Sequence, residues 1–207
     1  ISPAEAIPIL EESGLIIPVG KWIIQNAFSM CTECRKYYPE FRVSINLSYV
    51  QILKSPLMME LKQMIECSGI SCSGIIVELT ESGYLEGTPA VRSVWNDMKQ
   101  LRIQIALDDF GTGYSNLMNI SNLEPDIVKL DRGFTLKALS RSYEYQLMQY
   151  VIEMVHKLNQ YVCVEGVETK EDLEKIKALG PDLIQGYYYS KPCSRDEFLK
   201  KFFGHSE

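Results

Sequence analysis

Six short apolar runs, each closed by a polar or charged residue, constrain this chain more than any other feature. They end at Asn46, Glu78, Asp108, Lys129, Glu165 and Gln185, and a helix-like segment follows most of them. A buried strand does not place a charge at its last position without a use for it. Parallel strands of one sheet have their C-terminal ends on one face. Four carboxylates (Glu78, Asp108, Asp109 and Glu165), the Asn46 amide, Lys129 and Gln185 are then expected together. Such a set suits divalent-metal and phosphate chemistry.

The runs and their spacers read as alternating strands and helices. Ser2, Pro3 and Glu5 form a capping box that opens a first helix, which Gly14 stops. A second helix is expected from Pro18 to Tyr37, with Trp22, Ile23, Ala27 and Met30 at helical spacing. Strands follow at 42–47, 75–79, 103–108, 126–130, 161–165 and 183–187. Between them the sequence predicts helices at 56–67, 88–101 and 142–158, and a short one after a glycine-rich loop. Thr169 with Asp172 opens another helix, ended by Gly180, and Ser194 with Glu197 caps the last.

Strands alternating with helices imply βαβ units and a parallel sheet. The sheet can be an open doubly wound one or a (β/α)₈ barrel. An open sheet concentrates its site at one switch point. Polar residues at every strand end therefore favour the barrel, a TIM-type α/β fold. Only six strands are visible, and a barrel takes eight and typically about 250 residues. The expectation is one domain over 1–207, incomplete at its N-terminus.

Composition narrows the function. With 46% hydrophobic and 23% charged residues, the chain reads as globular. No apolar stretch nears the roughly 20 residues of a membrane span. No signal peptide is visible, and a cytoplasmic location is expected, with membrane anchoring left to another domain of the parent protein. A net charge of −6 argues against a nucleic-acid polymer as partner. Cys31 and Cys34 share a helix face, no second CxxC follows, and the six cysteines read as reduced thiols. With two histidines only, any metal site should use oxygen ligands, which points to magnesium or manganese.

The motifs carry a resemblance. Asp108-Asp109-Phe110-Gly111-Thr112-Gly113-Tyr114-Ser115 resembles the hallmark loop of EAL domains, bacterial phosphodiesterases that hydrolyse cyclic di-GMP. Asn46-Leu47-Ser48, Glu78-Leu79-Thr80-Glu81, Lys129-Leu130-Asp131-Arg132, Glu165-Gly166-Val167-Glu168-Thr169 and Gln185-Gly186-Tyr187 extend the resemblance in order along the chain. The Glu-Ala-Leu signature, expected on a strand upstream of Ser2, is absent, and with it one expected metal ligand.

The resemblance implies a two-metal Mg²⁺ or Mn²⁺ site that opens cyclic di-GMP to linear pGpG. It implies Asn46, Glu78, Asp108 and Asp109 as metal ligands, Glu165 as general base and Lys129 as a contact to phosphate or water. Gln185, Asp131, Tyr187 and Ser48 are implied on the substrate side. The loop Phe110 to Ser115 orders the metals, Glu81 anchors it, and Glu168 belongs to the same loop set. The alternative is a receptor or protein-interaction module of the same fold without turnover. Pairing into a homodimer and coupling to regulatory or GGDEF-type domains are also implied.

Overall fold

A computed structural model describes residues 1–80, 88–112, 120 and 123–204. The described chain divides into two compact units. Of the described residues, the first holds Ile1–Leu79, 88–105 and 203–204, and the second holds Thr80 and Ala106–Phe202.

In the first unit, α1 (Pro3–Ser13) starts at the expected cap, where the Ser2 N–H donates to Glu5 Oε2 at 2.9 Å. That bond holds the Glu5 carboxyl below the usual carboxylate range. Gly14 ends the helix in the left-handed conformation, which costs glycine little. Helix α2 (Ile16–Cys34) is shorter at its C-terminal end than its periodicity predicts. It buries Ile24, Phe28, Cys31 and Cys34 and packs against α4 (Leu57–Ser68), which buries Leu61 and Met64. Strand β1 (Val43–Asn46) pairs in parallel with β2 (Ile75–Thr80), so that Asn46 stands opposite Glu78. Between them α3 (Tyr49–Lys54), not foreseen from sequence, is opened by Ser48, whose hydroxyl accepts from the Val50 N–H at 3.1 Å. Helix α5 (Pro89–Gln100) leads into β3 (Gln104–Phe110).

The second unit carries β4 (Ile127–Leu130), β5 (Tyr161–Glu165) and β6 (Leu183–Gln185), with β3–β4, β4–β5 and β5–β6 all parallel. These strands are apolar on both faces, as strands covered by helices must be: Leu107, Val128, Leu130, Val162 and Val164 are fully sealed. The cover comes from α6 (Arg132–Ser140), α7 (Ser142–Lys157) and α8 (Lys170–Lys177), with Met148, Ile152 and Val155 of α7 turned inward. Helix α8 opens on a complete capping box between Thr169 and Asp172. Helix α9 (Arg195–Phe203) opens on Ser194 and Glu197, as expected.

The six strands are ordered as in the chain, β1 to β6. A doubly wound sheet reverses its order at a switch point, and this sheet has no reversal. The class is α/β of the TIM-barrel type, with six strands among the described residues. Among the described residues, no helix is long and apolar enough to cross a membrane.

Candidate active site

In the second unit, the C-terminal ends of adjacent strands bring charged side chains together. Lys129, on β4, is 95% buried in a strand of otherwise apolar residues. Its Nζ lies 3.0 Å from Asp108 Oδ1 on β3 and 2.7 Å from Glu165 Oε1 on β5. One ammonium thus supplies the positive charge shared by two carboxylates on the flanking strands. Such burial is tolerable only because the charges are paired.

Asp109 owes its position to a break in the ladder. The register between β3 and β4 shifts between Leu107 and Phe110, and Asp109 adopts φ 60°. The left-handed conformation is open to aspartate and asparagine at small cost. The Asp109 N–H donates to Asp108 Oδ1 at 3.0 Å. Just beyond, Gly111 has φ 103° and packs so closely on Phe134 that a Cβ there would lie 2.9 Å from its ring. The Asp131 N–H bonds to the Phe110 carbonyl at 3.0 Å, joining the ends of β3 and β4. On β6, Gln185 stands opposite Glu165 in the register.

The first unit has its own polar strand ends. Glu78 is buried at 6% exposure and accepts a short hydrogen bond from the Ser44 hydroxyl through Oε1. The Leu47 N–H donates to the Glu78 carbonyl at 3.0 Å. Asn46 is exposed beside Glu78 on the neighbouring strand.

The donor set decides which metals it suits. In the second unit Asp108, Asp109 and Glu165 offer carboxylate oxygens, and in the first Glu78 and the Asn46 amide carbonyl do, the preference of hard divalent cations. Among the described residues, no three His, Cys, Asp or Glu side chains are gathered into a metal cage. By donor chemistry these oxygen ligands suit a hard divalent cation.

Residues 1–192 match the EAL domain family. The chain belongs to that family. Cyclic di-GMP phosphodiesterase PdeF of Escherichia coli (strain K12) is 31% identical over 192 residues, which cover 93% of this chain and 26% of that protein. Cyclic di-GMP phosphodiesterase PdeR of the same organism is 33% identical over 192 residues, covering 93% of this chain and 29% of the other. In a solved structure, the EAL enzyme Bd1971 bound to cAMP and cyclic di-GMP superposes with a TM-score of 0.91 at 30% identity, covering 97% of this chain and 56% of that one. The chain spans 26% and 29% of the length of these two relatives.

Several EAL motif residues have local partners that their sequence positions do not reveal. Asp131 is the N-cap of α6, its Oδ1 accepting from the Gly133 N–H at 2.7 Å. Ser48 caps α3 and also donates to Glu11 Oε1 at 2.6 Å. Glu168 pairs with Arg132, and the Tyr187 ring is half exposed beneath the Lys191 ammonium. Phe110 is buried and Thr112 exposed. Glu81, Gly113, Tyr114 and Ser115 lie outside the described residues. Two supporting residues escaped the sequence reading. Ser44 lies two positions before Asn46, on the same strand face by the period of two, so that signal was available. Arg132 closes the Lys129-Leu130-Asp131-Arg132 motif, but nothing in the sequence assigns it a partner.

Proposed function

We propose that the chain is the phosphodiesterase module of a signalling protein and hydrolyses cyclic di-GMP to linear pGpG with Mg²⁺ or Mn²⁺. The observation that carries this reading is Lys129, buried between Asp108 and Glu165 at the ends of three successive strands. A structural ion pair needs one partner; a cation held between two carboxylates at a motif-bearing edge fits a site arranged for phosphate. Bound metal ions supply charge neutralisation and a more acidic attacking water.

The chain's own residues do the rest. Asn46, Glu78, Asp108 and Asp109 are the ligands in this reading. Glu165 takes the proton from the attacking water, and its contact with Lys129 orients the carboxylate. Lys129 faces the phosphate as negative charge grows on it. Gln185, opposite Glu165, orients the water, and Tyr187 and Asp131 edge the substrate.

The test is turnover of cyclic di-GMP followed by chromatography of the products. The expected result is pGpG formation with Mg²⁺ or Mn²⁺, loss with EDTA, and a fall in kcat of about 10²–10⁴-fold for Glu165→Gln. Full turnover in that variant refutes the base assignment. Tight binding without turnover supports a receptor instead.

A further inference from the structure

Arg132 sits two residues beyond the end of β4, at the same edge as Lys129, and the catalytic reading gives it no task. Its guanidinium donates from both Nε (3.2 Å) and Nη2 (2.8 Å) to Glu168 Oε1. The Glu168 carboxylate raises the Arg132 pKa, with smaller contributions in the same direction from Tyr187 and Asp131. The aliphatic stem of Arg132 makes a second contact. Gly166, the residue after Glu165, has φ 80°, and a Cβ there would overlap the Arg132 stem, reaching 2.8 Å from its Cβ. Arg132 therefore holds both ends of the segment Gly166–Glu168.

The opposite side of that segment is held by β6. The Val167 N–H donates to the Gln185 carbonyl at 3.2 Å, and the Val167 carbonyl accepts from the Tyr188 N–H at 3.0 Å. Gly186 packs so tightly on Val167 that a Cβ would overlap the Val167 carbonyl oxygen. Val167 is fully buried. The backbone that leaves Glu165 thus runs through a clamp with Arg132 as one jaw and Gly186 as the other.

We propose that Arg132 is a positioning residue for Glu165: by gripping Gly166 and Glu168 it sets the direction in which the Glu165 backbone leaves β5 and hence where its carboxylate stands. This rests on the phosphodiesterase reading for its catalytic half, while the clamp itself does not. The Arg132 and Glu168 side chains are 58% and 38% exposed, so solvent screens the ion pair and it adds little to global stability. The effect is therefore expected in kinetics and in local protection, not in the unfolding midpoint.

The experiment compares Arg132→Met, Glu168→Gln, the double variant and Arg132→Lys by two readouts. Hydrogen exchange of Gly166–Glu168 should quicken about tenfold in Arg132→Met, with exchange in Leu173–Lys177 unchanged. For cyclic di-GMP, kcat should fall about 10- to 100-fold with KM within about twofold, because misplacing a reacting group affects the step rather than binding. The double variant should lose no more than the worse single, and Arg132→Lys should regain part. Unchanged exchange overturns the clamp. Faster exchange with unchanged kcat, or additive losses, overturns the positioning role. A parent protein with no turnover at all defeats the phosphodiesterase reading and the catalytic half with it, while exchange still decides the clamp.

Discussion

Lys129 Nζ lies 2.7 Å from Glu165 Oε1, the two residues stand near the C-terminal ends of neighbouring parallel strands, and Asp108 Oδ1 lies 3.0 Å from the same ammonium. The carboxylates keep only limited contact with water: their side chains are 12% (Asp108) and 18% (Glu165) exposed, against 6% for the lysine. Removing the cation alone leaves two largely desolvated carboxylates without its compensating charge.

Lys129→Met should therefore lower stability by about 2–4 kcal/mol, somewhat below the range for a fully sealed pair broken on one side. Urea unfolding at neutral pH measures it. Adding Glu165→Gln to Lys129→Met should recover part of the loss, because one of the two stranded charges disappears. Equal midpoints for the parent and Lys129→Met would mean that water already screens the site.

A second expectation concerns Gly186. Its Cα approaches the Val167 backbone so closely that a methyl group overlaps a carbonyl oxygen, and backbone cannot rotate away as a side chain can. Gly186→Ala should destabilise the second unit by about 1–3 kcal/mol or more, the usual cost of overpacking. It should also loosen the Gly166–Glu168 segment that the same contact supports. Thermal unfolding together with hydrogen exchange checks both, and an Ala variant as stable as the parent would show that β6 can shift freely.

Much of this arrangement was legible in the sequence, for physical reasons that differ by element. The strand ends were readable because a charge such as Lys129 closing a run like Ile127-Val128 has few bland explanations. The capping boxes at Ser2, Thr169 and Ser194 were readable because capping is local: three residues specify it. Helices α3 and α6 were missed although their caps, Ser48 and Asp131, were singled out. Both residues sit just past a strand end, where the Ser48–Gln51 box and the Asp131 side chain start a helix directly from the strand. The ladder shift at Asp108-Asp109 had no sequence signal, since a bulge is settled by the partner strand and not by the residues that bulge. The Arg132–Glu168 pair spans 36 positions, and only the fold brings it together.

The Asp109 conformation gives a third test. With φ 60°, this position admits aspartate, asparagine or glycine cheaply and a β-branched residue at about 1–2 kcal/mol. Asp109→Asn should fold like the parent, whereas Asp109→Val should lose that amount in urea unfolding. Both variants should lose turnover if Asp109 is a metal ligand, so stability and activity separate the backbone role from the chemical one. Equal stability of Val and Asn would mean that the left-handed turn relaxes.

The cysteines give a fourth test, and it reports on the first unit without reference to catalysis. None of the six cysteines forms a disulfide, and they differ sharply in access: Cys31 and Cys34 are sealed inside α2, Cys163 is buried in β5, and Cys67 and Cys193 are exposed. Burial pushes the Cys31 thiol up, opposed by the nearby Arg35 charge and a hydrogen bond from the Val43 backbone. The thiolate is the reactive form, so both access and ionisation disfavour Cys31. Iodoacetamide at neutral pH should label Cys67 and Cys193 quickly, leave Cys31, Cys34 and Cys163 untouched, and reach all six in urea; peptide mass spectrometry reads each site. The linkage has a definite sign. A thiol whose pKa is raised by folding favours the fold while it is neutral, below the unfolded value of about 8.5, and that contribution is lost as pH climbs through the folded value. Stability of the parent should therefore fall more steeply above pH 8.5 than that of Cys31→Ala, measured against each protein's own neutral midpoint. Parallel curves, or labelling of Cys31 as fast as that of Cys67, would place its thiol in contact with solvent and remove α2 from the core of the first unit.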